Sequence, residues 1–126
     1  MLKTGQTASL TRRFTPRDLA DFERLGGRAN GGIPAPLIGA LVSTLLGTRL
    51  PGAGTNWLKQ SLHLHAPAPE GATLVATVTV TRLRPDKRLV DLDCACRLAD
   101  GTLIATGRAL VAAGDVGGAW DQADSA

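Results

Sequence analysis

A glycine-rich run before the second of two predicted helices has the clearest capacity for chemistry in this chain. It has the sequence Gly26-Gly27-Arg28-Ala29-Asn30-Gly31-Gly32. Backbone N–H groups that precede a helix can bind an oxyanion, and the Asn30 amide can donate a further hydrogen bond. The same composition also fits a shortened connection with no chemical role, and the sequence leaves both interpretations open.

Two single residues are further candidates for contact with a ligand. Arg28 could pair with a carboxylate or a phosphate, although an arginine in such a loop is more often solvated. Ser43 could donate a hydrogen bond to a substrate, although a serine among small helical residues more often permits close packing. We therefore take Asn30 and Ser43 as candidate catalytic groups and Arg28 as a candidate binding group.

The histidine and cysteine pairs offer little for a metal site. His63 and His65 share one face of a predicted strand, but no third ligand lies near them in sequence, so exposed polar positions are favoured. Cys94 and Cys96 are expected to be small, reduced core residues, because one C-x-C pair alone is a poor zinc or redox motif. The sequence predicts no metal site.

Periodicity and capping residues predict the elements that hold these groups. Thr15 and Pro16 are typical of a helix start, and the apolar spacing from Pro34 to Arg49 predicts a longer second helix. Alternating patterns predict strands over 7–14, 55–66, 73–83, 89–98 and 102–112. One long helix on an antiparallel sheet of about five strands is an α+β fold, whose open edges favour dimerisation. We expect one domain over residues 1–113 and a flexible tail over 114–126.

The predicted long helix has two sides of different character. Large apolar residues such as Leu41 and Leu45 form one side, and small residues form the other: Gly39, Ala40, Ser43 and Gly47. This pattern predicts packing on both sides, with a backbone or a ligand close to the small side. A row of small residues around Gly107 on the last strand is expected to face a helix.

Composition excludes several classes of protein. The chain has 126 residues, 44% of them hydrophobic, a net charge of +3 and only two Trp, two Phe and no Tyr. These numbers do not favour nucleic-acid binding, which needs clustered basic residues and stacking aromatics. No apolar run reaches the roughly 18 residues of a membrane span, and the first residues lack the apolar core of a signal peptide. We expect a cytoplasmic protein that binds neither nucleic acid nor membranes.

Several motifs follow one another along the chain in a familiar order. They are Phe14-Thr15-Pro16-Arg17-Asp18-Leu19-Ala20-Asp21-Phe22, Leu45-Leu46-Gly47-Thr48-Arg49-Leu50-Pro51-Gly52-Ala53-Gly54-Thr55, Gln60-Ser61-Leu62, Ala66-Pro67 and Glu70-Gly71. Together they resemble the MaoC-like (R)-specific enoyl-CoA hydratases over residues 5–113. The resemblance implies a hotdog fold, in which an antiparallel sheet wraps around one long helix, and it implies acyl thioesters as ligands.

The resemblance also implies that the usual catalytic groups are missing. Family members carry an Asp and a His in a D-x-N-P-x-H segment after the first helix, and this pair activates water. Asn30 matches the Asn of that motif, but Arg28 stands where the Asp belongs, and Pro34-Ala35 replaces a later His-Gly pair that helps to bind the thioester oxygen. Because arginine stays protonated at neutral pH, the standard hydratase mechanism is not expected. Of the usual site residues only Ser43 remains.

Further binding residues follow from the resemblance. Gly31, Gly32 and Ala35 would contact the acyl thioester, and Trp57 would line the acyl tunnel or face a dimer partner. A basic hairpin would meet the phosphates of coenzyme A or of carrier-protein phosphopantetheine, with a solvated charged turn as the alternative. Its residues are Arg82, Arg84, Lys87 and Arg88. No separate cofactor is expected, since coenzyme A or phosphopantetheine is part of the substrate.

Three hypotheses on function follow. In the first, the chain handles acyl-CoA or acyl carrier protein as the degenerate subunit of a heteromeric hydratase or dehydratase, and another hotdog protein supplies the Asp and the His. In the second, altered chemistry occurs in the same tunnel: thioester hydrolysis, or cyclisation or isomerisation of a bound acyl chain. In the third, the chain is a binding or scaffold module. The sequence does not decide between a homodimer and a heteromer.

Overall fold

The elements of the computed structural model follow the predicted order over the described residues 1–29 and 31–120. Their bounds are β1 (Thr7–Arg13), α1 (Pro16–Arg24), α2 (Ala35–Thr48), β2 (Asn56–Leu64), β3 (Thr73–Arg84), β4 (Leu89–Leu98) and β5 (Leu103–Ala112). The strands form an antiparallel sheet in the order β1-β3-β4-β5-β2, and α2 packs on one of its faces. The predicted α+β architecture is confirmed.

Helix α1 begins where its capping residues place it. The Thr15 hydroxyl accepts a hydrogen bond from the Asp18 backbone N–H at 3.1 Å, and the Asp18 carboxylate accepts one from the Thr15 backbone N–H at 2.8 Å. Pro16 occupies the first turn, where its missing N–H costs nothing. The hydrogen bond from the Thr15 backbone lowers the pKa of Asp18 below its usual value. The cap fixes the position at which the chain leaves β1.

The core lies between α2 and the sheet. Ile38, Leu45 and Leu46 of α2 are at most 2% exposed. They face the buried side chains of the strands, which are Leu74, Ala76, Val78, Val80, Val90, Leu92, Cys94, Cys96, Ile104, Ala105, Ala109 and Val111. Alternate residues of β3 and β4 therefore point to α2, as the period-two pattern predicts. In β5 the neighbours Ile104 and Ala105 are both buried, beside a register shift between β4 and β5.

A β-bulge in β2 overturns the predicted orientation of Trp57. The alternating pattern places Trp57 on the same face as Lys59 and His63. In the sheet Trp57 pairs with Val111 and Lys59 pairs with Leu110, so the register shifts between them. Trp57 therefore packs on the core from the α2 side, whereas Lys59 points to the other face.

Gly107 does not make room for a helix, and that expectation is wrong. A Cβ atom added at Gly107 would lie 1.9 Å from the backbone oxygen of Ser61 on β2. The close approach is thus between the backbones of two neighbouring strands. Glycine is required at this position because β2 and β5 could not otherwise pair in their observed register.

Residues 114–120 are packed, so the expectation of a flexible tail is wrong for this segment. Val116 is 9% exposed and Ala119 is 5% exposed. The Trp120 indole N–H donates to the Ala113 carbonyl at 2.9 Å, and the Leu2 N–H donates to the Ala119 carbonyl at 2.8 Å. The reason is that turns bring these small apolar residues back onto the end of the sheet. Residues 121–126 of the predicted tail lie outside the described residues.

Cys94 and Cys96 are buried on β4 and face the core, at 6% and 1% exposure. Burial raises the pKa of each thiol to about 11. Such thiols are poor nucleophiles at neutral pH, because the thiolate is the reactive form.

Within residues 1–29 and 31–120, no helix is long and apolar enough to span a membrane.

We predict that Gly107→Ala lowers the free energy of unfolding by about 1–3 kcal/mol, because the added methyl group forces β2 away from β5. Urea denaturation measures the effect. Gly117→Ala is the matched control: an added Cβ meets no atom within 4 Å there, so a change within about 0.5 kcal/mol is expected. Equal effects of the two substitutions would contradict the strand-contact explanation.

We also predict that the two thiols make stability fall at high pH. Since the folded pKa of about 11 exceeds the ordinary value of 9.0, their contribution is complete below pH 9 and is lost as pH rises from 9 to 11. The slope of unfolding free energy against pH in this window should be smaller in the double variant Cys94→Ala, Cys96→Ala.

In the wild type, iodoacetamide at pH 8 should label the folded chain far more slowly than the urea-unfolded chain. Rapid labelling of both thiols in the folded chain would refute the burial argument.

Candidate functional site

The glycine-rich loop is held against the turn that precedes β3. The Ile33 N–H donates to the Ala68 carbonyl at 2.9 Å, and Gly32 forms an isolated β-bridge with Pro69. A Cβ atom at Gly32 would lie 2.9 Å from the Ala68 oxygen, and one at Gly27 would enter the ring of Phe22 at 2.2 Å. Gly32 is therefore required by packing against the backbone, whereas a side chain at Gly27 would require the Phe22 ring to move. Asn30 lies outside the described residues.

Most of the described N–H groups from Gly26 to Ile33, which would form the predicted oxyanion site, already have an acceptor. Four of them donate to carbonyls of this chain: Gly26 to Glu23 at 3.0 Å, Gly27 to Phe22 at 3.1 Å, Gly31 to Ala29 at 2.8 Å and Ile33 to Ala68 at 2.9 Å. The start of α2 is different, because the N-cap residue Pro34 supplies no side-chain hydrogen bond and the first turn holds no acidic residue. In this first turn Pro36 has no N–H, and the Leu37 N–H donates to the Pro34 carbonyl at 3.0 Å. An anion in this loop would therefore meet the Ala35 N–H.

Ser43 lies on the exposed side of α2, and no residue of 1–29 or 31–120 covers Gly39 or Gly47 on this side. Added Cβ atoms at Gly39 and Gly47 would meet no atom within 4 Å. Within residues 1–29 and 31–120, no backbone therefore packs against Gly39 or Gly47, and a ligand or a second chain beside the small side stays a prediction. Ser43 is eight residues from Ala35, or about 12 Å along the helix axis. The two residues are too far apart to hold one reacting atom together.

Trp57 and the basic hairpin lie at the opposite end of the sheet from the loop. We call the end at Ile33, Ala68 and Thr73 the loop end, and the end at the β3–β4 turn the hairpin end. Strand β3 spans 12 residues between them, which is about 36 Å. Trp57 begins β2 at the hairpin end. Its indole N–H is buried and has no hydrogen-bond partner among the described residues.

Two of the hairpin arginines already have partners in this chain. Arg84 pairs with Asp91 at 3.0 Å, and the guanidinium of Arg88 stacks over the Trp120 ring at 5.4 Å. Arg82 and Lys87 are exposed. The predicted phosphate-binding residues are thus a mixture of structural and exposed cations, and one chain does not bring them near Ser43 or the loop. Their role in phosphate binding stays a prediction.

The histidines lie on the face of the sheet opposite α2. His65 Nε2 is 2.6 Å from the Thr106 hydroxyl, and His63 pairs in register with the same residue. In the described part of the chain, no group of three or more His, Cys, Asp or Glu side chains is placed to hold a metal ion. Neither histidine reaches the α2 side, where Ser43 and the loop lie.

Comparison with known proteins places this architecture in a family. No family model matches the chain. It is 35% identical to an (R)-specific enoyl-CoA hydratase of Rhodospirillum rubrum over 129 aligned positions, which cover 87% of each chain. It is 34% identical to the (R)-specific enoyl-CoA hydratase of Aeromonas caviae, over 87% of this chain and 94% of that protein.

Solved structures give the same result for the fold. The (R)-hydratase from A. caviae involved in PHA biosynthesis superimposes with a TM-score of 0.82, at 33% identity, over 87% of this chain and 96% of that chain. The ChsH1–ChsH2 complex from Mycobacterium tuberculosis matches with a TM-score of 0.67 at 16% identity, over 89% of this chain and 98% of that chain, which shows a shared fold. The hotdog fold is confirmed, and the chain belongs to the (R)-specific enoyl-CoA hydratase family.

Proposed function

We propose that the chain binds an acyl thioester of coenzyme A or of carrier-protein phosphopantetheine and acts as one subunit of a heteromeric hydratase or dehydratase. The main support for this proposal is the composition of the loop that connects α1 to α2. Residues 25–34 contain no carboxylate and no imidazole. Hydration of an enoyl thioester needs a group that takes a proton from water. The partner, a second hotdog protein, supplies it.

The remaining polar groups of the chain support this division of labour. Arg28 is exposed and permanently protonated, so it cannot accept a proton, but it can attract an anionic ligand. The Ala35 N–H at the uncapped start of α2 can donate one hydrogen bond to the thioester oxygen. The chain thus contributes binding and polarisation of the thioester carbonyl, whereas the acid–base step belongs to the other subunit.

The exposed side of α2 supports contact with a partner. No residue of Ala35–Thr48 is charged, and a helix without charges on any side is normally covered. The hydroxyls of Thr44 and Thr48 donate to carbonyls of the preceding turn, so they do not make this side more polar. Glycine in a helix costs about 1 kcal/mol relative to alanine, and among the described residues no atom lies close enough to require Gly39 or Gly47. A second subunit packed against this side would account for the absence of charges and for the two glycines.

Related proteins are consistent with this proposal. The R. rubrum and A. caviae relatives are named for hydration of enoyl-CoA, and the M. tuberculosis structure with the same fold is a complex of two different chains. By this analogy the ligand is an enoyl or 3-hydroxyacyl thioester.

We predict that the purified chain alone does not hydrate crotonyl-CoA above a buffer blank. Co-expression with a hotdog protein encoded beside it should give a complex that hydrates the substrate at least about a hundredfold faster. Removal of the partner's catalytic carboxylate should abolish this activity. A stable homodimer that recruits no partner and has no thioester affinity, or full activity of the chain alone, would overturn the proposal.

We further predict that Gly47→Leu keeps the fold but breaks the complex, because the added side chain enters open space in the isolated chain. The measurements are the melting temperature of the chain alone and co-purification with the partner. The control is Ala20→Leu, an equally large addition at an exposed position of α1. Unchanged complex formation by Gly47→Leu would exclude this side of α2 as the contact.

A second candidate function is altered chemistry in the same site, favoured by the uncapped start of α2. The Ala35 N–H there can donate to an oxyanion or enolate without a strong base, as in thioester hydrolysis or in cyclisation or isomerisation of a bound acyl chain. Turnover of an acyl-CoA panel by the pure chain, lost in Asn30→Ala and Ser43→Ala, would establish it. Absence of turnover would leave the heteromeric proposal.

A further inference from the structure

The two histidines lie together on the face of the sheet that points away from α2. They are the only histidines of the chain, and one residue, Leu64, separates them. His63 lies near the end of β2 and pairs in register with Thr106 on β5. His65 is the first residue after β2, and its Nε2 atom is 2.6 Å from the Thr106 hydroxyl. Both imidazoles are therefore neighbours of one threonine.

The spacing of the pair suits chelation of a single metal ion. Alternate side chains of an extended strand leave the same face, and their Cα atoms are about 6.4–6.8 Å apart. Two rings that lean towards each other across this spacing can place a nitrogen on one ion, at the usual distance of about 2.0–2.1 Å. Both residues are exposed, so an ion reaches them from solvent. A chelate of this kind binds more tightly than one imidazole, because the second ligand is already in place when the first has bound.

Thr106 orients one of the two rings. A metal-binding histidine usually donates its second ring N–H to a nearby acceptor, which fixes the tautomer and the orientation of the ring. The Thr106 hydroxyl is placed to accept that hydrogen bond from Nε2 of His65. With the proton on Nε2, the lone pair of Nδ1 is free to bind a metal. This contact with β5 is not visible in the sequence, from which no metal site was expected.

The ligand atoms favour one kind of ion. Imidazole binds zinc, copper and nickel rather than magnesium or calcium, and among the divalent ions Cu²⁺ binds most tightly. A structural zinc site has four protein ligands, whereas in residues 1–29 and 31–120 no group of three or more His, Cys, Asp or Glu side chains is placed to hold an ion. The two thiols do not compete, because they are buried and face the core. A Cu²⁺ ion that keeps water in its other positions fits this pair best.

We propose that His63 and His65 bind one Cu²⁺ ion on the face of the sheet opposite α2, with Thr106 as a positioning residue for the His65 ring. The ion lies beside the cavity of about 480 Å³ whose wall includes His63 and Thr106. The coordination positions that the imidazoles leave open are reached by solvent there. The site stands independently of the proposed function, because neither the α2 side of the sheet nor a thioester takes part.

Titration of the untagged full chain with Cu²⁺ at pH 7.5 tests the proposal, with calorimetry for affinity and electron paramagnetic resonance for the ligands. We expect one ion per chain in excess of what the double variant His63→Ala, His65→Ala binds, with hyperfine coupling to two imidazole nitrogens. Ni²⁺ and Zn²⁺ should bind more weakly, and Mg²⁺ should not bind. Coupling to a single imidazole, equal binding of Mg²⁺, or the same Cu²⁺ binding by the wild type and the double variant would overturn the proposal.

Single variants locate the ligands. His63→Ala and His65→Ala should each weaken Cu²⁺ binding about a hundredfold, because one imidazole then acts alone. Thr106→Val should weaken it about tenfold, and Thr106→Ser, which keeps the hydroxyl, should restore most of the affinity. Lys59→Ala, at an exposed position on the same strand, is the matched control and should bind as the wild type does. Melting temperatures without metal show that each variant is folded. Unchanged affinity in either histidine variant, or an equal loss in Lys59→Ala, would refute the assignment, and unchanged affinity in Thr106→Val would refute the role of Thr106.

Discussion

Burial of the apolar side of α2 against the sheet is the interaction on which the remaining structure depends. Ile38, Leu45 and Leu46 are almost completely buried on this side, and each such side chain contributes about 1.5–3 kcal/mol of transfer free energy. Without the helix, one whole face of the sheet would be exposed to water. The same packing fixes both ends of α2: its start lies beside Ala68, and the guanidinium of Arg49 just beyond its end donates to the Ser9 carbonyl.

This arrangement distributes the polar groups of the chain over two faces and two ends. The start of α2 and the loop occupy the loop end, Trp57 occupies the hairpin end, and the histidines and most outer-face charges lie across the sheet from the helix. The loop over residues 25–34 has no carboxylate and no imidazole. Under the proposed function, a second subunit placed against the uncharged side of α2 supplies these groups by its own side chains.

Local chemistry was sufficient to predict the elements but not all of their contacts. Thr15 and Pro16 specify a helix start by hydrogen bonds within three residues, and alternating apolar residues specify the inner face of β3 and β4. The orientation of Trp57 depends on a bulge, which is set by pairing with β5 and leaves no mark in the pattern of β2. The role of Gly107 likewise depends on Ser61, which is distant in sequence.

The candidate site was predictable to a similar degree. Composition and motif order indicated the loop and Ser43, and the absence of a carboxylate in residues 25–34 can be seen in the sequence. The charged face of the sheet opposite α2 was missed, because Lys59, Arg82 and Arg108 come from three strands and share one face only through the register of the sheet. Packing of residues 114–120 was missed for the same reason: their partners, such as Leu2, lie at the other end of the chain.

The positions of the two tryptophans give the molecule an asymmetric optical signal. Trp57 begins β2, and Trp120 covers Arg88 beside the end of β5, so both indoles lie at the hairpin end. The chain has no tyrosine and no other tryptophan. Its intrinsic ultraviolet fluorescence therefore comes from that one end. An event at the loop end will alter the emission only if it is transmitted along the length of the sheet, which makes the native chain its own probe of coupling between the two ends.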